Sequence, residues 1–153
     1  ICQYNLTIMK ELLYLKDKQL KDVIEKLFLG YRESFSDSKN ALKKYSIGIA
    51  HHKVIHLISM YKAITISELL KKLKITKQSL NRVLNDLLKL NFIFFKRDER
   101  DFRIKHIFLS EKGEKVFDEI FNLQKKRIHT ALLNSNSEEV LNFDSVLKKI
   151  VNG

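Results

Sequence analysis

The stretch from residue 64 to residue 110 constrains this chain most, because two short helical patterns, a tight turn and two strand patterns follow one another there without spacer. Thr65 and Glu68, three residues apart, can form a capping box at the start of a first helix that runs to Leu73. Lys74 and Ile75 leave room for a tight turn, after which Thr76 offers a second N-cap. In the second helix, predicted to run to Leu90, the residues Leu80, Val83, Leu84, Leu87 and Leu88 recur at three- and four-residue spacing and bury one face. The opposite face carries Lys77, Gln78, Asn81, Arg82 and Asn85. Such side chains can read base edges, since Asn and Gln suit adenine and Arg suits guanine. Phe92-Ile93-Phe94-Phe95 is short and aromatic and predicts a strand. Phe102 and Ile104 alternate with Arg103 and Lys105 before Ile107-Phe108-Leu109, which predicts the returning strand, with Asp98 to Asp101 as the tip. Helix, turn, helix and hairpin together predict a winged helix-turn-helix.

The flanks are predicted to be helical. The chain has no proline and four glycines in 153 residues, so long helices with short connections are the default. Leu20, Val23, Ile24, Leu27, Phe28, Tyr31 and Phe35 form one apolar stripe starting near Asp17. A short helical turn is expected over 39–47 and a clearer helix over 49–61, with Val54, Ile55, Leu57 and Ile58 inward. Ser110 can cap a long helix reaching residue 133, and Ser135 with Glu138 offers a further capping box for a last helix over about 138–151. Residues 1–16 carry Ile8, Met9, Leu12, Leu13 and Leu15 at irregular spacing and read either as an arm or as the beginning of a helix. The expected architecture is mainly α with a small β-hairpin, in a single domain over 1–153. Its DNA-binding core would be 49–110, and the helical segments 17–45 and 111–151 would form a dimerisation layer. A monomer that packs these helices on itself is the alternative.

Charge narrows the partners. The formal net charge is +11, and no acid lies between Leu69 and Asn85 while Lys71, Lys72, Lys74, Lys77 and Arg82 all do. That favours a polyanion over a merely solvated lysine-rich surface. No apolar run reaches the ~18–20 residues needed to cross a bilayer, so no membrane partner is expected. No signal-peptide pattern is present, and a single cysteine fits a reducing cytoplasm. There is no Walker loop, no G-x-S-x-G and no CxxC, and no Ser, His and Asp at a spacing that marks a triad, so no catalytic residue, no cofactor and no enzyme is expected. His52 and His56 lie one helical turn apart beside His51, a spacing that can share a metal. No cysteine or metalloprotease glutamate completes such a site, which leaves His106 or His129, brought in by folding, as the alternative ligands; the cluster reads as a polar interface or cleft wall and no metal is expected. Cys2 has no flanking cation before Lys10 and reads as an inert terminal thiol rather than a peroxide sensor.

Asp98-Glu99-Arg100-Asp101-Phe102-Arg103 matches the wing pattern D-x-R-D-x-R, and Leu109-Ser110-Glu111-Lys112-Gly113 is similar to L-[ST]-x-K-G, both marks of the MarR family of transcription regulators. Ile64-Thr65-Ile66-Ser67-Glu68-Leu69 and Ile75-Thr76-Lys77-Gln78-Ser79-Leu80 resemble that family's two helix-turn-helix openings, and the resemblance covers roughly 17–150. Ile49-Ala50-His51-His52-Lys53-Val54 and the run from Ile75 to Leu84 look like a PetP-type subgroup. The resemblance implies a recognition helix over 76–88 in the major groove, with Arg100 reaching a minor groove or phosphate from the wing. It also implies that Arg103 is held by Asp98 or Asp101 to structure the hairpin. The DNA-contacting set it implies is Thr76, Lys77, Gln78, Ser79, Asn81, Arg82, Asn85, Lys96, Arg97, Arg100, Arg103 and Lys105. It implies a homodimer on a pseudo-palindromic duplex whose halves lie about one turn, ~34–36 Å, apart. Many members of the family sense a small-molecule effector, although no residue here identifies one. The competing function is a winged-helix module that docks a protein or coats DNA without sequence choice.

Overall fold

A computed structural model describes residues 16–153. The expectations for residues 1–15, Cys2 included, lie outside the described residues. The chain forms two units, one ending at Asp37 and one comprising Ser38–Gly153. The described part of the first is α1 (Asp17–Ser36), an amphipathic helix none of whose residues is buried. Its predicted stripe is real, and Ile24 and Phe28 on it are 61 % and 56 % exposed.

The second unit runs α2 (Lys39–Lys44), α3 (Ile49–Met60), α4 (Ile66–Leu73), α5 (Lys77–Lys89), β1 (Ile93–Arg97), β2 (Lys105–Leu109), α6 (Glu111–Leu133) and α7 (Ser137–Asn152). The predicted turn over 39–47 is shorter as a helix, because Ser46 takes a left-handed backbone with φ 56° and sends Ile47 into the core. Val54, Ile55 and Ile58 of α3 meet Leu80, Leu84 and Leu87 of α5, Leu69 of α4, Ile107 of β2 and Val116 and Ile120 of α6 in one core. Each such fully buried aliphatic side chain contributes about 1.5–3 kcal/mol relative to exposure. The helical periodicity of α5 therefore has a physical destination, and its polar face is left for solvent or a ligand.

β1 and β2 are antiparallel, in register from Ile93 opposite Leu109 to Arg97 opposite Lys105. A short bridge between Thr65 and His106, with the Ile107 amide donating to the Ile64 carbonyl at 2.9 Å, lays the segment before α4 along the outer edge of β2. The returning strand starts at Lys105 rather than Phe102. The amides of Arg100 and Asp101 donate to the Asp98 carboxylate, that of Arg103 to the Asp101 carboxylate and that of Ile104 to the Asp101 carbonyl. Those bonds close the loop, and the Asp98 amide donating to the Ile104 carbonyl at 3.0 Å is the last across the hairpin before it, so Phe102 and Ile104 lie outside the paired strand and stand exposed. The capping box of the last helix also differs from expectation. Asn136 and Glu139 form it, while the Ser135 hydroxyl donates to the Ala131 carbonyl at the end of α6. Serine and asparagine compete for the cap one residue apart, and the serine is used to close the preceding helix.

Candidate nucleic-acid interface

The helix-turn-helix is assembled by its caps. The Thr65 hydroxyl accepts from the Glu68 amide at 3.2 Å while the Glu68 carboxylate accepts from the Thr65 amide at 2.8 Å, the reciprocal pair expected from the sequence. Lys74 ends α4 in a left-handed conformation, φ 52°, which turns the chain sharply into Thr76. The Thr76 hydroxyl accepts from the Ser79 amide at 3.1 Å and donates to the Ser79 hydroxyl at 2.9 Å. Both hydroxyls are thus engaged in starting α5. Lys77, Gln78, Asn81, Arg82 and Asn85 all lie exposed on the side of α5 away from Leu80, Leu84 and Leu87.

Behind that face lies a contact between α3 and α5 that the sequence does not show. The His51 Nδ1 accepts from the Gly48 amide at 3.2 Å, which leaves Nε2–H to donate to the Asp86 carboxylate 3.1 Å away. Asp86 is the first acid after the basic run, and this bond occupies it. The rest of the histidine cluster is aromatic packing: His52 stands edge-on to His56 at 6.4 Å between centroids, and His56 lies 5.8 Å from Phe117. Burial pushes His52 down to about 4, helped by His56, and lowers His56 as well. Among the described residues, no group of three or more His, Cys, Asp or Glu is placed to hold a metal ion.

The wing presents Lys96, Arg97, Arg100, Arg103 and Lys105, all exposed. Of the two aspartates open to Arg103, Asp101 takes it: its Oδ1 lies 3.1 Å from Nε and its Oδ2 3.2 Å from Nη2. This pair is solvent-exposed and shapes the loop more than it stabilises the fold. Asp98 is committed elsewhere. One of its oxygens caps the Arg100 and Asp101 amides, and the other lies 2.9 Å from His106 Nε2. His106, followed by those two amides, holds the Asp98 carboxyl down at about 2, and Asp98 in turn raises the His106 imidazole. The sequence does not mark His106 as a wing residue; the ladder places it there, opposite Lys96.

An open recess of about 490 Å³ lies between the end of α3, β2 and α6, lined by Ile58, Ser59, Lys62, Phe108, Phe117 and Asp118 among others. It mixes aromatic faces with one cation, Lys62, and two carboxylates, Glu114 and Asp118.

Comparison with known proteins places these features in a group. A family model described as the MarR family matches residues 45–104, from the end of α2 to the wing loop. The HTH-type transcriptional regulator PetP of Rhodobacter capsulatus is 35 % identical over 140 residues, covering 92 % of this chain and 84 % of that protein. Among solved structures, a MarR variant from E. coli complexed with operator DNA superposes with a TM-score of 0.64 at 22 % identity, covering 90 % of this chain and 97 % of the other. NadR in complex with 4-hydroxyphenylacetate superposes with a TM-score of 0.73 at 19 % identity, covering 84 % of this chain and 92 % of the other. The two structural likenesses are likenesses of fold.

Proposed function

Because the chain belongs to the MarR family of transcription regulators, we propose that it binds a specific pseudo-palindromic DNA duplex as a homodimer. The observation that supports this reading best is the polar face of α5, with Lys77, Gln78, Asn81, Arg82 and Asn85 exposed over a buried leucine row. Amides and a guanidinium on one helix face suit base edges in the major groove. Lys96, Arg97, Arg100 and Lys105 on the wing, with Arg103 held by Asp101, would meet phosphates or the adjacent minor groove. Thr76 and Ser79, at the start of the helix, would approach the backbone.

The division of labour follows the elements. The core of 49–110 would carry DNA contact and the segments 17–45 and 111–151 the dimer. Neither α1 nor α7 has a buried residue, and α7 leaves Leu141, Phe143 and Val151 more than half exposed, which is apolar surface that a second copy can cover. A two-fold dimer would place one recognition helix and one wing on each half-site. The recess beside Phe108 and Phe117 is where a small-molecule effector would bias the spacing of the two halves. Among the described residues no helix is long and apolar enough to cross a membrane. A bacterial, cytoplasmic setting and a regulatory rather than enzymatic role complete the reading.

Arg82 offers the sharpest test. Arg82→Ala is expected to cost about 1–3 kcal/mol on a duplex selected from random DNA and to relax base preference at one position per half-site. Fluorescence anisotropy on selected and scrambled duplexes measures both. Equal weakening on the two would make Arg82 a phosphate contact instead. The dense lysines of 71–77 favour a second reading, coating of DNA without sequence choice, and failure to select any duplex would establish it.

A further inference from the structure

We propose that His106 is a positioning residue that ties the wing to the helix-turn-helix only while its ring is doubly protonated, so that the wing's grip on DNA depends on one proton. The proposal rests on the DNA-binding reading above and adds to it a residue and a dependence on pH.

His106 Nδ1 lies 2.7 Å from the Ala63 carbonyl oxygen, and Nε2 lies 2.9 Å from the Asp98 carboxylate. Both partners are acceptors, and a neutral imidazole has a single N–H, so a neutral ring can keep one of these bonds and must lose the other. The imidazolium keeps both. Placing the missing proton on Asp98 is opposed, because its other oxygen accepts from the Arg100 amide at 2.8 Å and the Asp101 amide at 3.0 Å, contacts that favour the carboxylate. Ala63 is itself a constrained acceptor: it has φ 59°, in the left-handed region, and it precedes the Ile64-Thr65 segment that lies along β2 and starts α4. His106 therefore joins three pieces, namely the wing loop through Asp98, the strand on which it sits, and the turn that leads into the helix-turn-helix.

The charged surroundings agree in sign. Glu68 on α4 acts on the ring from one side and is itself held by Thr65, with Lys72 near it. On the wing side Lys96 is the cross-strand partner, and with Arg97, Asp98, Glu99 and Arg100 it lines a shallow recess of the wing that includes His106 itself. α3 and α6 also pack against β2, but among the described residues the charges that act on the ring are those of Asp98 and Glu68. The bond to Asp98, then that to Ala63, raises the His106 ring above its ordinary 6.5, while burial works weakly against them. Asp98 falls from 3.8 to about 2. A raised imidazole stabilises fully below 6.5 and stops doing so as pH rises through its folded value; a lowered carboxylate stabilises above 3.8 and stops only as pH falls towards 2. The tie is thus intact from about pH 4 to somewhat above 6.5 and opens on the alkaline side. When it opens, the Asp98 loop keeps its own backbone bonds but is no longer fastened to Ala63.

The test uses the full chain, with Asp98→Asn and His106→Gln as variants. Side-chain ¹⁵N spectra of the free protein should show a His106 midpoint above 6.5, with both ring nitrogens protonated below it, and that midpoint should fall in Asp98→Asn. A midpoint at or below 6.5, or one that does not move in Asp98→Asn, overturns the proposal. Anisotropy on a duplex selected from random DNA should then show wild-type affinity falling between about pH 6.5 and about 8.5 by about threefold or more beyond the fall in either variant. Equal slopes in all three proteins, on a duplex that all three bind, overturn the proposal and leave the DNA-binding reading standing. Selection of no duplex at all overturns that reading, and the proposal with it.

Discussion

Truncating Phe92 to alanine is expected to lower the free energy of unfolding by about 3–5 kcal/mol and to abolish ordered presentation of both the recognition helix and the wing. Phe92 is 1 % exposed and sits where three elements converge. Its amide donates to the Leu87 carbonyl at the end of α5, and its carbonyl accepts from the Ser110 amide at the cap of α6, each at 2.9 Å. Its ring meets Tyr45 edge-on at 6.1 Å, and the Lys112 ammonium lies 5.1 Å from the ring centroid while donating to the Leu90 carbonyl. Gly113 packs directly on its backbone, so closely that a Cβ there would fall 2.0 Å from the Phe92 oxygen. With its backbone pinned on both sides, the site cannot collapse into the space left by the ring, which puts the cost at the upper end for a large-to-small change. Urea denaturation would show the loss as a lower midpoint at unchanged slope. A change below about 1 kcal/mol would mean that the junction is looser than these contacts indicate.

The second large effect concerns ionic strength. Exposed Lys71, Lys72, Lys74 and Lys77 near the helix-turn-helix, and Lys96, Arg97 and Arg100 on the wing, give the chain enough cations to neutralise several phosphates. If two protomers together make about 6–10 phosphate contacts, affinity should fall by about 10³–10⁵-fold between about 50 and about 200 mM salt. The slope of log affinity against log salt should be close to −0.9 per contact, and Arg100→Ala should reduce it by about one contact per half-site. Anisotropy titrations across a salt series measure it. A flat series would show that these cations do not face the phosphates and would move the interface elsewhere on the surface.

How much of this was legible in the chain depended on the reach of each signal. Thr65 with Glu68, Thr76 with Ser79 and Ser110 with Gly113 are caps made within three residues, and their partners follow from the sequence alone. The leucine row of α5 was equally readable, because periodicity fixes which face is buried. Competition between neighbours was less readable. Ser135 and Asn136 are both good caps, and the choice between them turned on which one the end of α6 needed. The alternation of Phe102 and Ile104 looked like a strand because a period of two carries no information about amides already bonded to Asp98 and Asp101. Arg103 had two aspartates within reach, and Asp101, two residues away, also accepts from the arginine's own amide, which favours it over Asp98. His51 with Asp86 and His106 with Asp98 lay beyond the sequence altogether. The first pairs residues 35 apart, and the second depends on the ladder bringing strand β2 back beside the loop.

Whether the polar face of α5 reads a sequence is decided by selecting duplexes from a random pool and measuring anisotropy with excess unrelated competitor. The expected result is enrichment of two inverted half-sites about one helical turn, ~34–36 Å, apart, bound by two protomers and resistant to competitor. Enrichment of no sequence, with equal affinity for selected and scrambled duplexes that vanishes as salt rises, would contradict it.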